Sequence, residues 1–196
     1  MEFCFKTHLK MIRIAIISSS VRSGRYSHRV TLYLRNYLQE NNLAETDIID
    51  LQQYSFPVFD ERLKYQENPS EEAIDFAERI RKADGVIIVT PEYNGGYPAS
   101  LKNAIDLLTV EWRRKPVAIS TVSDGDFGGS QVITSLQFVL WKMKAWTVPA
   151  MFPVPRVQDK FDETGVPADR DVTGKRASAF TGELLRCIDA AKKMSE

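Results

Sequence analysis

Residues 84–108, DGVIIVTPEYNGGYPASLKNAIDLL, constrain the fold more than any other stretch of the chain. Val86, Ile87, Ile88 and Val89 form an unbroken run of β-branched residues, the pattern of a strand buried on both faces of a parallel sheet. Thr90 and Pro91 end the run, and Glu92 to Pro98 make a turn-rich loop. Leu101, Ala104, Ile105 and Leu108 then recur at helical spacing, which predicts a helix from Ala99. An aromatic, glycine-bearing loop at the carboxyl end of a central strand is where open α/β sheets bind ligands. On spacing alone, a tight strand-to-helix turn whose tyrosines cover the sheet edge fits equally well.

The same alternation runs along the chain. Residues 12–17, IRIAII, read as a first strand, and Ser18 to Ser27 as a polar loop after it. Val30, Tyr33, Leu34, Tyr37 and Leu38 mark the inner stripe of a helix. Residues 46–51 read as a second strand and 52–69 as an irregular connection. Ser70 has N-cap chemistry ahead of Glu71 and Glu72, opening a helix with Ala73, Phe76, Ala77 and Ile80 on its apolar face. Residues 116–122 and 146–152 read as the fourth and fifth strands, around a helix over 131–144. Residues 153–174 read as a polar surface loop, and Ala177, Phe180, Leu184, Cys187, Ile188 and Ala191 mark a last helix. Strands alternating with helices predict an α/β fold, a parallel sheet with helices on both faces. Periodicity leaves a flavodoxin-like strand order 2-1-3-4-5 and a truncated Rossmann sheet both open.

Composition narrows the function classes. A length of 196 residues favours one domain, here 12–196, with 1–11 as an N-terminal extension. Lys plus Arg and Asp plus Glu are each 26, which argues against a nucleic-acid or general polyanion binder. No apolar run approaches the ~20 residues of a membrane span, and Met1 to Lys10 lacks the apolar core of a secretory signal. Cys4 and Cys187 have no partner spacing and suit a reduced, cytoplasmic protein. His8 and His28 are the only histidines, so neither a metal site nor a Ser-His-Asp triad is expected.

Three loops carry the candidate chemistry. In SSSVRSGRYS (18–27), a phosphate would meet the helix dipole and free N–H groups, hydroxyls from Ser20, Ser23 and Ser27, and the guanidinium groups of Arg22 and Arg25. A solvated, serine-rich turn is the plain alternative. The loop is neither a Walker A sequence nor Gly-x-Gly-x-x-Gly. SDGDFGGS (123–130) is a glycine-rich loop after the fourth strand, where backbone can approach a flat ligand.

TPEYNGGYPASLKNAID closely resembles the flavin-contacting loop of the NADPH-dependent FMN reductase family. The family's phosphate loop is usually Gly-Ser-x-Arg-x-x-Ser-x-Asn. Ser20 and Arg22 match it, whereas Ser19 replaces Gly, Arg25 replaces Ser and Ser27 replaces Asn. The resemblance covers roughly residues 12–150 and implies the flavodoxin-like five-stranded order 2-1-3-4-5. It also implies FMN as cofactor and NADPH or NADH as co-substrate. It assigns Ser20, Arg22, Arg25 and Ser27 to the phosphate end. Pro91, Glu92, Tyr93 and Asn94 are assigned to the ring, with backbone N–H groups near Tyr93 and Asn94 as donors. Ser123, Gly125 and Gly128 form the third wall. Glu92 is equally suited to a structural cap, and Arg113 with Arg114 to a 2′-phosphate contact or a solvated basic pair.

The chemistry would then sit on flavin N5, with no catalytic side chain required. The expected activity is electron transfer from a nicotinamide through FMN to a small acceptor: a quinone, azo compound, free flavin or metal oxyanion. The alternatives are a flavodoxin-like electron carrier, disfavoured by the neutral charge, and a flavin-free interaction protein. Ile133, Phe138 and Trp141, on a second face of the 131–144 helix, predict a homodimer or homotetramer.

Overall fold

The computed structural model describes residues 11–194; the expected extension lies outside the described residues except for Met11. The chain runs β1 (Arg13–Ser18), α1 (Ser27–Glu40), β2 (Glu45–Asp50), α2 (Glu71–Lys82), β3 (Gly85–Pro91), α3 (Ala99–Leu107), β4 (Pro116–Val122), α4 (Gln131–Lys142), β5 (Trp146–Met151), α5 (Val157–Lys160) and α6 (Arg170–Lys193). All five strands are parallel, in the order β2-β1-β3-β4-β5. This is the flavodoxin-like order, and the truncated Rossmann alternative falls away.

Alternate residues of the central strands feed opposite cores, as a period of two requires. Ala15, Ile17, Val86 and Ile88 pack with α2, α3 and α4. Ile14, Ile16, Ile87 and Val89 pack with α1 and α6. Phe76 and Ile80 of α2 and Leu136 and Leu140 of α4 are fully buried, as the sequence stripes predict. Ser70 caps α2, its hydroxyl accepting from Ala73 N at 3.2 Å. Edge strand β5 accommodates Pro149, which cannot donate to a ladder and is exposed.

The segment 153–174 differs from the polar loop expected. Val154 continues alongside β4, with its N–H on Thr121 O at 2.7 Å and its carbonyl accepting from Ser123 N at 3.0 Å. Val154, Val157 and Phe161 are buried against the core under α1 and α6. Gly165, at φ +86°, closes this strap onto α1, where a Cβ would stand 2.7 Å from Tyr33 N and 2.8 Å from Arg29 O. Helix α6 then starts at Arg170, capped by the Asp169 carboxylate accepting from Val172 N at 2.9 Å.

Candidate active site

A cleft of about 170 Å³ opens where the carboxyl ends of β1, β3 and β4 meet. Chain order reverses between β1 and β3, so this is the sheet's switch point. The strand ends are laced together: Ser19 N donates to Val89 O at 3.1 Å and Glu92 N to Val122 O at 3.3 Å. Of the residues singled out in the sequence, Ser20, Arg22, Arg25, Ser27, Pro91, Glu92, Tyr93 and Ser123 line the cleft. Asn94, Gly125 and Gly128 do not.

The first loop ends in a helix start without a cap. Tyr26 occupies the N-cap position and supplies no side-chain hydrogen bond. The buried hydroxyls of Ser19 and Ser27 have no partner. Arg22 is exposed, and no carboxylate lies within ion-pair distance of it among the described residues. Orphaned hydroxyls, an uncapped positive dipole end and an unpaired guanidinium together fit a phosphate group.

Arg25 is differently engaged. Its guanidinium makes a two-pronged ion pair with Asp50 at the end of β2 and donates to Ser20 O at 2.6 Å. The side chains are 11% and 8% exposed, so the pair is largely removed from water. Arg25 therefore braces the loop from below, because its charge is already met. Burial raises the Asp50 carboxyl, but hydrogen bonds from Arg25 and Gln52 N–H and the Arg25 charge outweigh it and hold it below its usual value. His28 lies beside the pair, its Nδ1 3.0 Å from Ser18 Oγ and 3.9 Å from Asp50. Burial, then the Arg25 charge, lowers His28, and Asp50 only partly offsets them.

The central loop is a tight reversal. Asn94 and Gly95 have φ of 52° and 81°, the arrangement of a type I′ turn, and Tyr93 pairs with Gly96 through both backbone bonds. The Tyr93 N–H is thus committed to Gly96 O at 2.8 Å, which removes it from the expected ring donors and leaves that of Asn94. The Tyr93 side chain instead ties two loops together, sharing a hydrogen bond with Ser20 Oγ at 2.7 Å. Glu92 takes the cap role, its carboxylate accepting from Gln131 N at 3.2 Å at the start of α4. Asn103 grips the connection after β2: Oδ1 accepts from Phe59 N at 2.6 Å and Nδ2 donates to Pro57 O at 2.7 Å.

In the third loop, Gly128 is a packing residue. Its Cβ would stand 3.2 Å from Pro153 Cβ and 3.3 Å from Pro155 N, while its carbonyl accepts from Thr121 Oγ1 at 2.6 Å. Gly125 faces open space, and its carbonyl accepts from Ser123 Oγ and Arg156 N at 2.9 and 3.0 Å. Gly24, Tyr26, Val122, Asp124 and Val157 complete the wall. Tyr26 sits inside the loop already quoted and was legible from its place before the helix. Val157 comes from the strap, and nothing local in the sequence points to it.

A family model described as NADPH-dependent FMN reductase matches residues 12–159. The chain is 34% identical over 198 residues to the NAD(P)H-dependent FMN reductase LOT6 of Saccharomyces cerevisiae, across 92% of this chain and 99% of that protein. It is 38% identical over 140 residues to a quinone reductase of Escherichia coli K12, across 67% of this chain and 74% of that protein. Among solved structures, the flavoenzyme NAD(P)H:(acceptor) oxidoreductase FerB from Paracoccus denitrificans shares the fold. Its TM-score is 0.73 at 24% identity, over 92% of this chain and 98% of that one.

Proposed function

This chain belongs to the NADPH-dependent FMN reductase family, and we propose that it draws electrons from NAD(P)H through FMN held in the switch-point cleft and delivers them to a small quinone-type acceptor. The observation that carries the site is the uncapped start of α1, with the unpartnered Ser19 and Ser27 hydroxyls below it and unpaired Arg22 beside it. Ser20, Arg22 and Ser27 take the phosphate, and Arg25, held by Asp50, fixes the loop that presents them. Within the cleft, the Tyr93 ring and Ser123 border the flavin ring. Bound FMN supplies the hydride-accepting chemistry. The cleft's volume lies below the ~300 Å³ of an enclosed small-molecule pocket, so part of a flavin would stay open to a stacking nicotinamide and then to the acceptor.

Self-association and a cytoplasmic setting belong to the same proposal. Phe138 and Trp141 of α4 are 60% and 65% exposed and their rings lie 5.7 Å apart, an apolar patch suited to a two-fold related copy. Among the described residues no helix is long and apolar enough to cross a membrane.

The test is anaerobic. NADH or NADPH added to FMN-loaded protein should bleach the flavin absorbance before any acceptor is present, and a quinone should restore it. Double-reciprocal plots against the two substrates should be parallel. If neither nicotinamide bleaches the flavin, the reductase reading fails and that of an electron carrier replaces it.

A further inference from the structure

The basic pair Arg113–Arg114 has no part in the cleft. It precedes β4, whereas the cleft lies beyond the other end of that strand, about 20 Å away at the rise of a parallel strand. A 2′-phosphate of a nicotinamide nucleotide stacked at the cleft is therefore not its partner.

What the pair borders instead is a groove of about 730 Å³ across the amino ends of the central strands. Four cations converge on it from three parts of the chain: Arg13 opens β1, Arg81 and Lys82 end α2, and Lys192 lies in the last turn of α6. Each of these four is balanced by a carboxylate, namely Glu45, Glu111, Glu78 and Asp84, at 2.9 to 3.0 Å. The consecutive run Arg113, Arg114 and Lys115 is the exception. Among the described residues none of the three has a carboxylate within ion-pair distance. Lys115 is turned inward and donates to the carbonyl of Ala83, and burial lowers its ammonium pKa. Arg114 is held at φ 57°, a left-handed conformation that bulky residues rarely adopt, and its N–H donates to Lys144 O at 2.7 Å. Lys144, at φ 62° and exposed, adds a further cation beside it.

We propose that this groove is a second anion site, taking a ligand with clustered phosphate groups. The depression is open to solvent, so charge rather than enclosure would hold the ligand. Adjacent guanidinium groups supply paired donors that suit phosphate oxygens, and the partly buried Lys115 ammonium adds positive charge that Asp84 only partly offsets. The net charge of zero conceals this, because the uncompensated cations are gathered at one end of the sheet.

The experiment uses protein saturated with FMN, so that the cleft is filled, at low ionic strength where surface charge is least screened. Tripolyphosphate is titrated calorimetrically, and sedimentation with vesicles containing phosphatidylinositol bisphosphate tests the same chemistry on a membrane. Saturable binding of either probe supports the proposal if Arg113→Gln/Arg114→Gln weakens it at least about tenfold, the scale of one charged hydrogen bond. Binding of tripolyphosphate alone assigns the site to a free ligand, and binding of vesicles alone to a lipid headgroup. Absence of both, or binding that survives in the double variant and is lost in Arg22→Ala, overturns the proposal. The double variant changes only side chains outside the hydrophobic core, and an unchanged melting temperature separates lost binding from lost folding.

Discussion

The Tyr93 phenol and the Ser20 hydroxyl lie 2.7 Å apart, bridging the loops after β3 and β1 directly over the switch point. This side-chain bond adds to the backbone bonds that already lace the strand ends together. Tyr93→Phe keeps the ring and removes the bond, and should destabilise the FMN-free protein by about 0.5–1.5 kcal/mol. Ser20→Ala should do the same. Denaturant unfolding of both single variants and the double variant closes a cycle, in which the double should cost little more than either single. Full additivity would show the two groups to be uncoupled.

Arg22 should act on the phosphate and not on the ring. Arg22→Ala should weaken FMN by about 1.5–3 kcal/mol, the range for a hydrogen bond to a charged group, and riboflavin much less. Calorimetric titration of the two ligands makes the comparison. Equal losses would remove Arg22 from the phosphate subsite.

Acid should destabilise the protein in two separate steps. His28 is lowered in the folded state, so the unfolded chain binds its proton first, and stability should fall as pH drops below about 6.5. Asp50 is also lowered, so the stability contributed by its pairing with Arg25 is complete above about pH 4. It is lost as pH falls through the lower folded value. Unfolding midpoints measured across pH 3–7 should show both steps. His28→Gln should erase the upper step alone.

The exposed pair Phe138 and Trp141 should hold copies of the chain together. Trp141→Glu should convert an oligomer to a monomer at micromolar protein, read by light scattering. The side chain is exposed in the isolated chain, so the change should leave monomer folding intact. A wild-type chain that is already monomeric under those conditions would defeat the assignment.

Asn103 fastens the connection between β2 and α2 to α3 with two bonds. Asn103→Ala should cost about 1–3 kcal/mol in unfolding free energy for the pair. It should speed amide exchange across Pro57–Phe59 far more than within the strands. Uniform acceleration would mean that the residue supports the whole fold rather than this connection.

The sequence made the sheet legible because its strands are short apolar runs and its helices carry clean stripes. Val86–Val89 and the Phe76/Ile80 face could be read directly, and the flavin-loop resemblance supplied the strand order. Contacts between distant parts of the chain were not readable. Arg25 looked like a phosphate ligand because nothing local shows that Asp50 returns beneath it. Gly128 looked like a ligand-facing glycine because Pro153 and Pro155, which it packs against, were assigned to a surface loop. The start of α6 was missed because its first turns are exposed and include Gly174, so no apolar period marks them. Asp169, with an acid two residues later, was the available helix-start cue.

The strap that closes on α1 also sets a sharp boundary in mutational tolerance. Glu163 has a side chain 90% exposed, with a single 3.7 Å ion pair to Arg29, so substitutions there lose little more than one surface contact. Two residues later, any side chain at position 165 must enter the backbone of α1, 2.7 Å from Tyr33 N, and must also adopt a left-handed conformation. A saturation library across 162–166 should therefore record near-neutral scores at Glu163, losses at Asp162, whose carboxylate accepts from Thr164 and Val166 N–H, and the steepest losses at Gly165. Gly165 meets α1 at Arg29 and Tyr33, near the Ser27 end that follows the proposed phosphate loop, so variants that survive at 165 should hold FMN less well.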